Sequence, residues 1–506
     1  MNQQNNHMRP VMFVGTGSDV GKSIIATAFC RILKQDGFSP APFKAQNMAL
    51  NSYATPEGFE IGRAQAVQAE AAGIPCHTDM NPLLLKPQSD HTSQVILNGK
   101  SIGNQHAYDY FRREGRETLR TAVYQAFDRL SSRYQPIVME GAGSISEINL
   151  KQTDLANMSM AKYAQARVIL VGDIDRGGVF ASLYGSIMLL DEDERRLVKG
   201  IIINKFRGDL RLFEEGKKMI EELCCVPVLG VIPYYRNISI DEEDSVSISL
   251  KSRYAEKGKI NIAVILLNHL SNFTDFNALE QDKRVHLFYT NNVEDIRQAD
   301  IIILPGSKST LSDLTEIRKN GVANAILQAR RCGASVLGIC GGYQMMGQEV
   351  RDPHHEEGEC ESLPGLGLLP VVTTITALKT TRQRRFRLIM PDAPQPSGSE
   401  LYGYEIHQGQ TVPKGGVPES PLAQFSDGTT DGYFADNRCM GSYLHGILDN
   451  KAFIDFLLRP YLQQNGEAHQ QMDFHAFKEQ QYDLLADHVR KSVDMKRFYQ
   501  ILHTHD

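Results

Sequence analysis

The chain has 506 residues, of which 42% are hydrophobic and 23% are charged, and its formal net charge is -6. This length exceeds what one hydrophobic core usually supports, so we expect two or three domains. The mild acidity without a large basic block argues against general nucleic-acid binding, and no apolar run reaches the ~20 residues of a membrane-spanning helix. Eight cysteines without paired metal-type spacing, and a polar start without a signal peptide, predict a cytoplasmic protein with reduced thiols.

Residues 9–236 repeat one pattern, in which a short apolar run is followed by a polar loop and a helix-like stretch. The apolar runs begin at Val11, Pro136, Arg167 and Gly200. Short β-branched runs bounded by glycine or aspartate are typical of buried parallel strands. Their alternation with helices predicts a doubly wound α/β domain, which binds its ligands at the carboxyl ends of the strands.

The stretch GTGSDVGKS, which ends at Ser23, predicts a phosphate-binding loop between a strand and a helix. It departs from the usual spacing, because Thr16 stands where the first glycine is expected and a glycine lies on each side of it. In such a loop the backbone around Gly17 and Gly21 would bind phosphate, and Lys22 would contact the β- and γ-phosphates of ATP. The Ser23 hydroxyl would reach Mg²⁺.

Polar residues after other strands extend this candidate site. Glu140 ends the run PIVME and is placed to hold Mg²⁺, although capping a helix or lying at the surface are alternatives. Asn204, in IIINKF, could bind the nucleotide base or cap a turn. Lys44 and Asn47, in FKAQNMALNS, and Asp175, in VGDIDRGG, are candidates for substrate binding.

The composition changes at residues 237–258, an acidic and polar stretch that we interpret as a linker. Residues 259–450 form a second α/β series, with the strand-like runs KINIAVILL, ADIIILPGS, ASVLGICGG and GYFADNRCMGSYLHG. Residues 451–506 carry apolar positions at helical spacing, which predicts a helical C-terminal extension.

Cys340 ends an apolar run and has glycines around it, in VLGICGG. This pattern predicts a nucleophile elbow, in which a tight turn exposes the side chain above the sheet. The N–H of Gly341 would then bind an oxyanion, with a second N–H near Gly306 in the loop LPGSKST. His445, in GSYLHGIL, follows a strand and is the candidate general base.

The group that would orient His445 is not evident from the local sequence. Ile447 stands where glutamine-hydrolysing triads usually have a glutamate, so either a Cys–His pair suffices or another residue acts. Glu405 and His407, in YGYEIHQG, are the candidates, and a structural hydrogen bond is the alternative role for His407.

Several of these motifs resemble known families. GTGSDVGKS together with EGAGS resembles the dethiobiotin-synthetase-like branch of phosphate-loop enzymes, in which the first motif glycine is similarly displaced. From residue 9 to residue 450 the chain is similar to the cobyric acid synthase family in both its motifs and their order. The strings that carry this resemblance are FKAQNMALNSYATPEGFEIGRAQAVQAEAAGIP, MNPLLLKP, SNFTDFNALE, LPGSKST, GICGGYQMMG, LPGLGLLPV, GYEIHQG and GSYLHGI.

The resemblance implies an ATP- and glutamine-dependent ligase that amidates the b, d, e and g carboxylates of adenosylcobyrinic acid a,c-diamide in cobalamin synthesis. It implies Cys340 as the nucleophile, His445 as its base, and Lys22, Ser23 and Glu140 at the ATP and Mg²⁺ positions. The family lacks the glutamate after the catalytic histidine. The expected partners are a corrinoid, glutamine and ATP, with no tightly held cofactor, and a homo-oligomer is compatible with this assignment.

Two other assignments stay open. Cobyrinic acid a,c-diamide synthase has the same two domains in the same order but acts on the a and c carboxylates. A partitioning-type ATPase has a similar nucleotide domain and acts as a binding switch, although such a switch has no need of Cys340 and His445.

Overall fold

The computed structural model describes residues 8–87, 92–106, 116–235, 237–241, 251–358, 360–394, 400–462 and 473–503, so residues 242–250 of the predicted linker lie outside the described residues. The chain folds into two compact units. Unit 1 comprises Met1–Ala49, Ile61–Asp241 and Lys478–Asp506, and unit 2 comprises Leu50–Glu60 and Glu242–Phe477. The two units are therefore interleaved along the sequence.

The secondary-structure elements are numbered here in chain order. The strands are β1 (Val11–Gly15), β2 (Ala41–Phe43), β3 (Gln46–Met48), β4 (Ser52–Ala54), β5 (Glu60–Gly62), β6 (Leu83–Pro87), β7 (Thr92–Leu97), β8 (Lys100–His106), β9 (Ile137–Glu140), β10 (Arg167–Asp173), β11 (Val198–Phe206), β12 (Val228–Pro233), β13 (Ile260–Ile265), β14 (Val285–Thr290), β15 (Ile301–Leu304), β16 (Ser335–Ile339), β17 (Glu349–Arg351), β18 (Ser362–Pro364), β19 (Val371–Leu388), β20 (Leu401–Pro413), β21 (Ala423–Phe425), β22 (Thr430–Asp431), β23 (Tyr433–Asp436) and β24 (Cys439–Ser442). The α-helices are α1 (Lys22–Gln35), α2 (Arg63–Ala72), α3 (Arg116–Ser131), α4 (Met158–Ala164), α5 (Val179–Met188), α6 (Glu192–Arg195), α7 (Glu214–Cys224), α8 (Asn277–Gln281), α9 (Val293–Ile296), α10 (Thr310–Lys319), α11 (Val322–Arg331), α12 (Gly341–Met346), α13 (Lys451–Leu458), α14 (Phe474–Ser492) and α15 (Met495–His503).

Unit 1 is built on a six-stranded parallel sheet with the order β12-β11-β10-β1-β9-β2. Four of these strands, β1, β9, β10 and β11, are the apolar runs that the sequence predicts. Strands β1, β9 and β10 are buried along their whole length, as expected for parallel strands covered on both faces. The predicted α/β class is therefore confirmed, and a smaller sheet, β3-β6-β7-β8, completes unit 1.

The main sheet of unit 2 has the order β14-β13-β15-β16-β24-β23. All of its pairs are parallel except β23 with β24, so the second predicted α/β series is also confirmed. A second sheet, β18-β17-β19-β21-β22 with β20 paired to β19, was not predicted from the sequence. Its longest pair, β19 with β20, is antiparallel. Strand β20 carries Tyr404 and Ile406, which contact His445 and Cys340.

Helices α14 and α15 confirm the predicted helical C-terminal tail, and residues 463–472 lie outside the described part of the chain. From Lys478 onward the tail belongs to unit 1 and enters its hydrophobic core. The ring of Phe498 is fully buried and lies 4.4 Å, centroid to centroid, from Phe29 of α1. Arg31 of α1 forms ion pairs with Glu479 and Asp483 at 2.9 and 2.7 Å. The last helices are thus part of the nucleotide-loop unit.

Replacing Phe498 with alanine is expected to destabilise unit 1 by about 3–5 kcal/mol, because it removes a large buried ring and leaves a cavity. Leu484→Ala is the matched control, since Leu484 lies in the same helical tail but is 42% exposed. The control is expected to change the free energy of unfolding by less than about 0.5 kcal/mol. Chemical denaturation followed by circular dichroism measures both variants, and equal shifts would show that the tail is not part of the core.

Among the described residues, no helix has both the length and the apolar character needed to cross a bilayer. All eight cysteines are free thiols in this structure.

Candidate active sites

The residues predicted to form the thiol site of unit 2 each follow a strand of its main sheet, and these strands are neighbours. Gly306 follows β15, Cys340 follows β16 and His445 follows β24. Because these strands are parallel and adjacent, their carboxyl ends lie along one edge of the sheet. Asp275 joins them from the segment after β13, the next strand in that order.

Cys340 sits on a tight turn between β16 and α12. Its backbone has φ 52° and ψ -110°, a conformation that residues other than glycine rarely adopt. The flanking glycines are required by close packing, because a Cβ on Gly342 would lie 1.9 Å from the carbonyl oxygen of Leu304. The N–H of Cys340 donates to the carbonyl of Ser442 at 2.8 Å, which fixes the turn against β24. The turn therefore has the geometry expected of a nucleophile elbow.

His445 is held by a buried carboxylate. Its Nδ1 lies 2.7 Å from Oδ2 of Asp275, and the N–H of Gly446 donates to Oδ1 of the same side chain at 3.0 Å. The side chains of His445 and Asp275 are both at most 2% exposed. Since a carboxylate only accepts hydrogen bonds, Nδ1 carries a proton and Nε2 is the nitrogen left for the thiol.

The charge state of His445 is set by its neighbours. Burial opposes protonation, but the Asp275 carboxylate and the Cys340 thiol outweigh it and raise the pKa of His445 to about 10. At neutral pH the imidazole is therefore protonated next to a sulfur nucleophile. The Cys340 sulfur also donates to the carbonyl of Ile406 at 3.5 Å. This arrangement suits a cysteine nucleophile served by an imidazole that a buried carboxylate holds in place.

The two candidates named from the sequence as orienting groups are bonded elsewhere. Glu405 pairs with Arg384 and, at 3.5 Å, with Nε2 of His407. His407 also bonds to the carbonyl of Gly409 at 2.8 Å. Asp275, not Glu405 or His407, occupies Nδ1 of His445. Sequence reasoning missed it because 170 residues separate the two, and its only signal was its place in the family-like string SNFTDFNALE.

The two glycines predicted to supply oxyanion amides lie close to the Ser307 loop and to the imidazole of His445. Gly341 is the first residue of α12, and a Cβ on it would lie 2.8 Å from the amide nitrogen of Ser307. Gly306, the predicted second donor, lies against the imidazole, because a Cβ there would be 3.3 Å from Cε1 of His445. The Ser307 hydroxyl donates to Asp313 at 2.6 Å and so anchors this loop. The amide of Ser307 is thus a further candidate oxyanion donor beside those of Gly306 and Gly341.

The candidate phosphate loop of unit 1 leads directly into α1, which begins at Lys22. Gly21 has φ 97°, and a Cβ on it would lie 2.2 Å from Nδ2 of Asn204. The Lys22 ammonium donates to the carbonyls of Gly17 and Gly143 at 2.8 and 2.9 Å. Asn204 donates to the carbonyl of Val20 at 2.9 Å, so its amide nitrogen braces the loop. The loop is thus preformed around the N-terminus of a 14-residue helix, which suits phosphate.

Glu140 lies at the centre of the polar groups beside this loop. Its Oε1 accepts from the Ser23 hydroxyl and from the Lys44 ammonium, both at 2.8 Å, and its Oε2 accepts from Gln68 at 2.7 Å. Burial opposes ionisation, but Lys44 and the hydrogen bonds keep the pKa of Glu140 below its ordinary value. A hydroxyl and a carboxylate oxygen at this separation are donors that Mg²⁺ prefers, so Ser23 and Glu140 fit a magnesium site.

The remaining predicted substrate residues are placed differently. Asn47 is buried and donates to Gln65 of α2 at 3.1 Å. Asp175 forms an ion pair with Arg207 at 2.7 Å, in which both side chains are about a third or more exposed to solvent. The structure thus brings Lys44 to Glu140 and gives Asn47 and Asp175 protein partners of their own.

Comparison with known proteins covers both units. Residues 11–248 match the model of the CobQ/CobB/MinD/ParA nucleotide binding domain, and residues 261–453 match the CobB/CobQ-like glutamine amidotransferase domain. The first match includes Leu50–Glu60, which the structure places in unit 2.

Similar proteins extend over the whole chain. The cobyric acid synthase of Bacteroides fragilis is 66% identical over 502 residues, which cover 99% of this chain and 100% of that protein. The cobyric acid synthase of Phocaeicola vulgatus is 64% identical, with 99% of both chains covered. That of Syntrophobacter fumaroxidans is 47% identical, with 98% of both chains covered.

Proposed function

The chain belongs to the cobyric acid synthase family, and from this premise we propose that it converts adenosylcobyrinic acid a,c-diamide into adenosylcobyric acid. The b, d, e and g carboxylates would become amides, with glutamine as the nitrogen donor and ATP as the activating substrate. Residues 9–236 would activate the carboxylates and residues 259–450 would hydrolyse glutamine, with residues 237–258 as linker and 451–506 as C-terminal extension. The observation that carries the proposal is the Cys340–His445–Asp275 arrangement, which a partitioning-type ATPase would not need.

In the glutamine half of the reaction the Cys340 thiolate attacks the carboxamide carbon of glutamine. The N–H groups of Gly341 and of the Gly306–Ser307 loop support the negative charge that forms on the carbonyl oxygen. The His445 imidazolium gives its proton to the departing nitrogen, which leaves as ammonia, and a thioester remains. The neutral imidazole then takes a proton from water, whose attack releases glutamate and restores the thiolate. Asp275 would hold Nδ1 of His445 throughout and so leave Nε2 to serve the sulfur.

In the ligase half a carboxylate of the corrinoid must be activated, because oxide is a very poor leaving group. Its oxygen accepts the γ-phosphoryl group of ATP to give an acyl phosphate and ADP, and ammonia then displaces phosphate to form the amide. Lys22 and the loop amides would hold the β- and γ-phosphates. Ser23 and Glu140 would hold Mg²⁺, which supplies positive charge to the phosphates when it is bound.

The proposal predicts four successive conversions of a carboxyl into an amide when the purified protein is supplied with the a,c-diamide, ATP, Mg²⁺ and glutamine. Mass spectrometry of the corrinoid reads each conversion, and omission of ATP is the control. Cobyrinic acid, offered in parallel, tests the a,c-diamide synthase alternative. An unchanged mass for the a,c-diamide would rule out the proposed substrate, and amides on cobyrinic acid alone would favour the alternative.

A further inference from the structure

The segment Leu50–Glu60 belongs to unit 2, although the residues on both sides of it belong to unit 1. It forms β4, a turn and the start of β5. Within the turn the N–H of Thr55 donates to the carbonyl of Phe59 at 2.7 Å. Ser52, Ala54 and Thr55 are fully buried. The segment is therefore an integral part of unit 2 that comes from the first half of the chain.

The first set of contacts leads from this segment to the imidazole of His445. The ring of Tyr53 packs on the ring of Tyr404 in β20, with centroids 4.5 Å apart. The ring of Tyr404 also stacks on that of His445, with centroids 5.2 Å apart and an interplanar angle of 22°. The backbones of Tyr404 and His445 also exchange two hydrogen bonds, of 3.0 and 2.9 Å. Tyr404 is therefore held between Tyr53 and the candidate base.

A buried apolar cluster connects the same segment to the residue that contacts the sulfur of Cys340. Ala54 forms one buried apolar cluster with Tyr404 and Ile406 of β20. The carbonyl of Ile406 accepts the hydrogen bond from the Cys340 sulfur. Gln383 of the paired strand β19 donates to the carbonyl of Ala54 at 2.9 Å, which fixes the segment against this sheet.

A second set of contacts leads to Asp275. The N–H of Ser52 donates to Oδ1 of Asn272 at 2.9 Å, and both residues are buried. Asn272 has φ 54° and precedes the 3₁₀ turn Phe273–Phe276, which carries Asp275. Its carbonyl accepts from the N–H of Asp275 at 3.0 Å. The position of Ser52 thus fixes the start of the turn that presents the carboxylate.

We propose that Leu50–Glu60 is a positioning segment of the glutaminase site, with Tyr53 setting the imidazole of His445 and Ser52 setting the turn of Asp275. The segment acts through Tyr404 and Asn272, which carry its contacts to His445 and to the turn of Asp275. The inference rests on the proposed glutaminase function and adds to it a required part outside the amidotransferase-like region. Misplacement of a catalytic group by about 1 Å can cost about 10²-fold in rate, so small shifts of these contacts matter.

In the full-length protein, Tyr53→Ala is expected to lower the kcat of glutamine hydrolysis by at least about tenfold, with KM within about twofold of the wild type. Tyr53→Phe is expected to retain most of the rate, because it keeps the ring that packs on Tyr404. Tyr402→Ala is the matched control, since Tyr402 lies in the same strand β20 but is 59% exposed. A kcat for Tyr53→Ala equal to that of the control would overturn the proposal.

Asn272→Gly provides a second variant, because glycine keeps the left-handed backbone and removes only the acceptor for Ser52. Alkylation of Cys340 by iodoacetamide as a function of pH gives a readout besides turnover. A displaced imidazole or carboxylate is expected to shift this pH profile in Tyr53→Ala and Asn272→Gly. If neither variant shifts the pH profile of alkylation, the segment has only a structural role and the inference is wrong. If the wild-type protein itself fails to hydrolyse glutamine, the proposed function falls as well.

Discussion

Replacing Cys340 with alanine is expected to abolish glutamine-dependent amidation and to leave ammonia-dependent amidation in place. The side chain removed is the only nucleophile that we assign to the release of ammonia, so the loss in glutamine hydrolysis should be at least about 10³-fold. The groups assigned to carboxylate activation, Lys22, Ser23 and Glu140, belong to unit 1 and are unchanged. Amide formation at high ammonium concentration and alkaline pH, where free ammonia is available, measures the second activity.

Cys332→Ala serves as the control for Cys340→Ala, because Cys332 is an exposed thiol of the same unit. It should retain both activities. If Cys340→Ala loses the ammonia-dependent reaction together with the glutamine-dependent one, while its melting temperature is unchanged, the assignment of the two half-reactions to separate sites is wrong.

Replacing Asp275 with asparagine is expected to lower the kcat of glutamine hydrolysis by about 10²- to 10⁴-fold. The amide is nearly isosteric but carries no charge, so the tautomer of His445 is no longer fixed and the imidazolium loses its counterion. The Asp275 carboxylate is the main group that raises the pKa of His445 against burial, so its removal should lower that pKa from about 10. The alkaline limb of kcat/KM against pH is therefore expected to move to lower pH.

The pair of His445 and Asp275 also makes the stability of the folded protein depend on pH. Because the folded-state pKa of His445 is raised above its ordinary value of 6.5, its protonation stabilises the folded state at neutral pH. That contribution is lost as the pH rises toward 10 in the wild type, and over a lower range in Asp275→Asn. Thermal unfolding at neutral and alkaline pH separates this effect from the loss of activity.

Glu405→Gln is the informative comparison for Asp275→Asn. Glu405 is a candidate that the local sequence suggests, yet its carboxylate is bonded to Arg384 and His407. Its replacement is expected to have the smaller effect on glutamine hydrolysis. A loss as large as that of Asp275→Asn would restore Glu405 as the orienting group.

Much of this molecule follows from local sequence, because strand periodicity and glycine-rich turns are properties of contiguous residues. The apolar runs before Gly15, Glu140 and Cys340 predict buried strands, and the glycines after them predict tight turns, as the structure has them. Parallel sheets place the ends of such strands at one edge, so the sequence also predicts that Cys340 and His445 lie close together. The long antiparallel pair of β19 with β20 could not be predicted, because its polar and exposed stretches hide the alternation expected of strands.

From contiguous residues alone, then, the α/β class of both units could be predicted, and the phosphate-loop motif, Cys340 and His445 could be named as candidate site residues. Only the tertiary structure brought Asp275 to His445, Leu50–Glu60 into the amidotransferase-like unit, and Phe498 into the core beside Phe29. The physical reason is the same in each case. These contacts join positions far apart in the chain, their energy depends on burial and complementary shape, and no local pattern encodes which distant partner will supply them.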